Sequence, residues 1–311
     1  MALETNIRPA ALAAERMARA VLALGALGLA AAAFVVVRLF ESWRVGPSAD
    51  SHRITIFGLR LTYPVANADA IVVVALACVG LAVLLSAARG CARELRAARR
   101  FTQRLAACIT GAVGDALVID GERPDAFCAG LFQPRVYIST GALELLDDRA
   151  VAAVIEHERH HAQRRDPLRL AAGRVVRQAV FFVPGLRRIV DRAASLAELS
   201  ADEHAVEVAP ESRPALARAM LAFDHRAGGI DPMRVDSLTG RSGDWRFPTG
   251  LCVLALATVA LIGAVAFLAG RVASGSTTLA LPLLSRQPCV VVLAAIPAVL
   301  AVVAVRFARG R

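Results

Sequence analysis

The chain has no lysine. All 36 of its basic residues are arginine, which together with heavy alanine usage fits a GC-rich bacterial genome. Aromatic residues are scarce, at 5%, so the 57% hydrophobic content is carried by Ala, Val and Leu, the residues of lipid-facing helices rather than of an aromatic core. The six cysteines, at 78, 91, 108, 128, 252 and 289, have no regular spacing and form no CxxC pair, which excludes a disulfide framework and a cysteine-based metal site. What is abundant is apolar sequence. A mean hydropathy of +0.55 over 311 residues rules out a simple soluble protein. Charged residues still make up 20%, so the chain must segregate charge from apolar mass, as membrane spans flanking a water-soluble domain do.

Four uncharged stretches are long enough to cross a bilayer: 20–37, 70–88, 249–270 and 288–305, together roughly 77 residues. At 1.5 Å per residue, 18 to 22 residues cover about 27–33 Å, the thickness of the hydrocarbon core. The first stretch follows Glu4 and Glu15 and ends at Arg38 and Glu41 without a small-residue cleavage site, so it is expected to be a retained span rather than a signal peptide. The four spans contain no His, Asp or Glu to line an ion path.

Orientation follows from arginine. The segment 89–104 carries six Arg and one acid, the loop 38–69 four Arg and three acids, and positive flanks stay in the cytoplasm. Both termini and residues 105–248 are therefore expected in the cytoplasm of a bacterial cell, with 38–69 and 271–287 outside. On this reading the net charge of +10 marks membrane topology, and the amphipathic 89–104 stretch meets anionic lipid; no nucleic-acid partner is expected.

The expected organisation is an N-terminal membrane region (1–104), a cytoplasmic domain (105–248) and a C-terminal membrane region (249–311). In the central domain, 116–120 and 135–138 read as short strands between Gly and Pro punctuation. Asp147 or Asp148 is a suitable N-cap for a helix to about Arg165, where Asp166-Pro167 stops it and starts the next. Further helices are expected over 195–208 and 214–225. The stretch 175–190 is apolar but broken by Arg177, Pro184, Arg187 and Arg188. It is too interrupted to span and is expected to lie buried or on the membrane surface.

Three of the six histidines fall within five residues, His157-Glu158-Arg159-His160-His161, an H-E-x-x-H pattern on the helix that follows the apolar run 150–155. His157 and His161, four apart, project from one helical face and can bind one Zn²⁺. Glu158 sits about 100° further round, placed to take a proton from water at the metal. The bland alternative is a solvated His/Glu/Arg face, but the apolar lead-in implies a buried helix, and buried imidazoles need partners. A catalytic zinc site needs a third protein ligand. Glu198 and Asp202, four apart on a later helix, offer one carboxylate for the metal and another for the free ring N–H of a ligand histidine.

HERHH followed 37 residues later by ELSAD resembles the gluzincin membrane metallopeptidases, namely the HtpX and CAAX-prenyl-protease-like family and the related BlaR-type antirepressor-cleaving sensors. The segment DAFCAGLFQPRVYIST, Asp166 and FFVPGLRR extend the likeness over roughly residues 115–205. The resemblance implies a mainly α membrane protein with four transmembrane helices and an α+β zincin-like cytoplasmic metalloprotease domain. It implies one Zn²⁺ per chain on His157, His161 and Glu198, Glu158 as general base and later proton donor, and Asp202 behind a ligand histidine, His157. The implied reaction is endopeptidase hydrolysis of membrane or membrane-proximal proteins, in quality control or antirepressor-type regulation. BlaR-type sensors also carry a large extracellular sensor domain; none follows Arg311 in this sequence, so antibiotic sensing by such a domain is not expected.

The strand 135–138 is expected to hold substrate by strand addition. For oxyanion stabilisation the candidates are Tyr137, His204, His225 and Arg234, with His225 preferred; His160 is expected to point away from the ligand face. The competing reading is a non-hydrolytic, metal-organised signalling or scaffold protein, for which retention of the base Glu158 has no use.

Overall fold

Long alanine- and leucine-rich runs make long helices. In the computed structural model the described residues are 9–42, 52–56, 59–63, 68–209, 213–223, 234–236 and 247–274. The proposed span 288–305 and His225 lie outside them. Helix α1 (Pro9–Ser42) opens on a proline, which costs a first-turn position nothing because its missing N–H would be unpaired anyway. A hairpin of β1 (His52–Ile56) and β2 (Leu59–Tyr63) follows, then α2 (Ala68–Ala107), 40 residues without a break.

Next come β3 (Ile109–Val113), β4 (Ala116–Ile119), β5 (Ala126–Ala129), β6 (Arg135–Ser139), α3 (Thr140–Leu145), α4 (Asp148–Arg164), α5 (Asp166–Ala179), α6 (Leu186–Val208) and α7 (Arg213–Phe223). The last described helix is α8 (Thr249–Ser274). Three stretches are long and apolar enough to cross a membrane: Ala10–Val37, Val74–Ala107 and Thr249–Leu268. The described residues are thus mostly helical, with three candidate membrane helices and a small mixed sheet.

The described chain divides into two compact units. One contains Ala23–Arg89, Gln178–Pro184 and the described residues from Val253 on. Its apolar contacts join the three long helices through Val35, Ala77 and Ala266. Gly80 lets α2 approach α1 closely, since a Cβ there would lie 2.7 Å from the carbonyl oxygen of Ala32. Leu27, Phe34, Leu81, Leu85, Leu261 and Leu268 are exposed, as residues facing acyl chains rather than water would be.

The other unit holds Gly90–Arg177 and Gly185–Cys252 with the start of α1. Its four-stranded sheet has the order β3-β4-β6-β5: β3 and β5 pair antiparallel with their neighbours, whereas β4 and β6 run parallel. Alternation along β6 sorts the two faces. Val136 and Ile138 join α4, α6 and α7 in the main core, while Tyr137 turns to the opposite face with Leu105, Ile119 and Ala129. The buried Ser139 closes the sheet onto α3. Its Oγ accepts from Ala142 N–H (3.1 Å) and Asp125 N–H (2.9 Å) and donates to the Arg123 carbonyl (2.8 Å).

Both strands read from the sequence are present; β3, β5 and the β1–β2 hairpin are additional. Asp147 is the N-cap of α4, accepting from Ala150 N–H at 2.8 Å, and Arg165 ends that helix in the left-handed region at φ 55°. The short reversal there lets α5 begin at Asp166. Helix α6 begins nine residues before the expected start, at Leu186. It is preceded by Gly185 at φ 75°, a conformation that glycine adopts without steric cost.

Candidate metal centre

The centre is built where α4 crosses α6. Helical spacing puts His157 and His161 on one side of α4, and both are buried. Their Nε2 atoms are 3.3 Å apart. From α6, Glu198 offers Oε2 at 3.6 Å from His157 Nε2 and Oε1 at 3.6 Å from His161 Nε2. Ligands about 2.0–2.2 Å from a tetrahedral zinc are separated by about 3.3–3.6 Å, so this triangle has the dimensions of three corners of such a site. Among the described residues it is the His/Cys/Asp/Glu group that could hold a metal ion.

Each of these two histidines is backed by its own carboxylate. Nδ1 of His157 lies 2.9 Å from Asp202 Oδ1, and Nδ1 of His161 lies 2.8 Å from Asp166 Oδ2. Such partners fix the tautomer that leaves Nε2 free for a metal. Asp166, legible in the sequence as a helix boundary and as part of the family likeness, is given no role there at the histidines; its place five residues after His161, at a tight helix junction, was the available signal. Arg234 completes the arrangement. Its Nε and Nη2 donate to the two oxygens of Asp202, each at 2.7 Å, and Nη1 lies 3.1 Å from Glu198 Oε2.

These contacts explain the acid–base balance. Burial works against a protonated His157, but the carboxylates of Asp202 and Glu198 outweigh it and raise the imidazole pKa, so a cation entering here displaces a proton. Burial alone would raise Glu198, yet His157, His161 and Arg234 hold its carboxyl well below the usual carboxylate range. Asp202 is likewise lowered against its burial, by Arg234 and His157. Glu158 goes the other way. Its enclosure raises its pKa more than the two imidazoles lower it, Glu198 adds to the rise, and the backbone N–H of Cys128 donates to its carboxylate. A carboxyl displaced upward toward neutrality is suited to accepting and returning a proton. Cys128 itself is pushed up to about 12 by burial and by the Glu158 and Asp166 carboxylates, so its thiol stays protonated.

Several expectations change. Strand β6 is paired on both sides, by β4 and β5, so 135–138 has no free edge for substrate; β5 is one of the two edges of the sheet, and its Cys128 N–H reaches Glu158. Tyr137 is turned to the sheet face away from α4, stacked on Phe127 at 5.7 Å, and is not at the site. His204 is engaged elsewhere, 2.9 Å from Glu156 and stacked on His160. His160 is off the ligand face as expected, but it is buried against Ser200 Oγ at 2.9 Å, tying α4 to α6. Of the described oxyanion candidates, the structure brings Arg234 to the site.

Residues 95–196 match the family model of Peptidase family M48. That is the group of the HtpX- and CAAX-protease-like families, and the match bears out the resemblance read from HERHH and its surroundings. It covers about a third of the chain and stops two residues before Glu198. His157, Glu158, His161 and Asp166 lie inside the M48 segment; Glu198, Asp202 and Arg234 stand on geometry. No curated protein and no solved structure matches the chain.

Proposed function

We propose that the protein is a zinc-dependent endopeptidase of the bacterial cytoplasmic membrane. In this reading its catalytic domain and both termini are cytoplasmic, and it cleaves membrane or membrane-proximal proteins in quality control or regulatory, antirepressor-type proteolysis. The observation that carries the reading is the triangle of two imidazole nitrogens and one carboxylate at zinc-like spacing, with the raised carboxyl of Glu158 beside it. His157, His161 and Glu198 would hold the metal. A Zn²⁺ there would supply Lewis acidity, making water acidic near neutral pH and polarising the scissile carbonyl.

The chain's own residues do the rest. Glu158 takes a proton from the attacking water and returns it to the departing amine. Asp202 and Asp166 keep each histidine's proton on Nδ1, and Arg234 neutralises Asp202 so that this carboxylate can stay buried and charged. With its Nη1 3.1 Å from Glu198 Oε2, the Arg234 guanidinium is a candidate to stabilise negative charge developing on the substrate oxygen. Substrate would lie extended along β5 and bond through its main chain, a mode that tolerates many sequences.

Glu158→Gln tests this directly. The variant should bind one Zn²⁺ per chain and fold as the parent does, while cleavage of membrane proteins, read by comparing membrane fractions carrying each form, is lost. Unchanged cleavage would exclude the peptidase role. Retained metal with no cleavage by either form would favour the scaffold.

A further inference from the structure

The turn between α5 and α6 groups with the membrane helices: Gln178–Pro184 belongs to the same compact unit as the bulk of the three apolar helices. The contact responsible is specific. Val180, 1% exposed, packs so tightly on α1 that a Cβ at Gly28 would lie 2.6 Å from its Cγ1. Gly28 is near the middle of the charge-free run between Arg19 and Arg38, nine residues or about 14 Å from Arg19 along the helix. A residue in contact with Gly28 is therefore at hydrocarbon depth wherever α1 spans the bilayer.

The turn has the composition for that depth. Residues 178–186, QAVFFVPGL, carry no charge. Val180 and Val183 are buried inward, while Phe181 is 63% exposed, its ring 5.9 Å from that of Phe182. In water a phenylalanine so exposed forfeits about 1.5–3 kcal/mol of burial; in acyl chains it loses nothing. Part of the turn's backbone is satisfied internally, as non-helical chain in a membrane requires: Val183 N–H donates to Val180 C=O at 3.2 Å and Ile189 N–H to Gly185 C=O at 3.1 Å. The first charges on either side are arginines, Arg177 and Arg187, both paired with Asp191 and long enough for their head groups to reach the interface.

We propose that the α5–α6 turn is a re-entrant membrane element whose tip, Phe181 and Phe182, lies among lipid acyl chains, entering from the side of the bilayer marked by Arg19. It rests on the reading of α1 as a membrane span. The element does not cross, because its uncharged run is half the length that crossing needs. The helix that follows it in the chain, α6, carries Glu198 and Asp202.

The test uses the full chain with Trp43 and Trp245 replaced by Phe, reconstituted in phosphatidylcholine/phosphatidylglycerol vesicles with acyl chains brominated near their middle. Single tryptophans are introduced as Phe181→Trp, as Leu27→Trp on the exposed side of α1, and as Leu145→Trp, 57% exposed on α3. Phe181→Trp should emit to the blue and lose emission to brominated lipid as Leu27→Trp does, whereas Leu145→Trp loses emission to aqueous acrylamide. Acrylamide quenching of Phe181→Trp would overturn the proposal. So would quenching by neither reagent, which would mean a protein partner covers the turn. Escape of Leu27→Trp from brominated lipid would instead remove the membrane span on which the proposal stands.

Discussion

Asp202 is 1% exposed and serves two partners at once, the ring of His157 and the fork of Arg234. That double use makes it the residue whose loss should spread furthest. Asp202→Asn and Asp166→Asn each remove a charged partner from a ligand histidine, and zinc affinity measured by competition with a chelator should fall about 10–100-fold in either variant. Arg234→Ala leaves a buried carboxylate without its cation, which costs about 3–5 kcal/mol, read as a lowered unfolding midpoint; Arg234→Lys should recover only part of it, since a point charge cannot replace a two-pronged contact. The H-E-x-x-H residues were legible in the sequence because helical periodicity alone brings positions four apart together. Arg234 was only one of four candidates there, because nothing local ties it to a helix 32 residues upstream.

Single side chains also join elements. Ser139 is the clearest case, since one buried hydroxyl connects the 123–125 segment, β6 and the first turn of α3. Ser139→Ala should lower stability by about 1–3 kcal/mol, because the donors and acceptor it leaves behind are shielded from water. A gentler link is Arg159, which pairs with Asp115 on the β3–β4 turn and with Glu156. The Arg159 guanidinium holds the Asp115 carboxyl below its ordinary value. A carboxyl lowered on folding adds stability above its unfolded pKa and loses it as pH falls through the folded value. Asp115→Asn should therefore reduce the unfolding temperature slightly at neutral pH, and the difference from the parent should close as pH drops through the acidic carboxylate range; screening of this exposed pair keeps the effect small. Helices α4 and α7 were readable from caps and prolines, and β4 and β6 from their flanking turns. Strand β5 was not, because Ala126-Phe-Cys-Ala is four residues with no β-branched side chain, and it is a strand because β6 pairs with it.

For the molecule as a whole, the arginine asymmetry around the spans makes a topological prediction. In a background without the native cysteines, a reporter cysteine in the 38–69 loop should react with a membrane-impermeant maleimide in intact cells, and one at Leu145 only after the membrane is opened. The reverse pattern would invert the proposed orientation. Metal and fold are linked at this scale too. Since His157, His161 and Glu198 come from two helices that the unfolded chain does not hold together, zinc at 100 times its Kd should stabilise the protein by about 2.7 kcal/mol, seen as a fall in unfolding temperature on chelation.

By itself the sequence determined the apolar helices, the arginine asymmetry from which a topology is proposed, and the pairing of His157 with His161. Each of these is a matter of run length, charge count or a helical repeat. Only the tertiary structure decided that Asp166 backs His161, that Arg234 rather than Tyr137 or His204 lies at the centre, that β5 rather than β6 offers a free edge, and that the broken apolar stretch after α5 packs on Gly28. Those outcomes depend on which elements meet, and that is set by packing over the whole chain rather than by any local pattern.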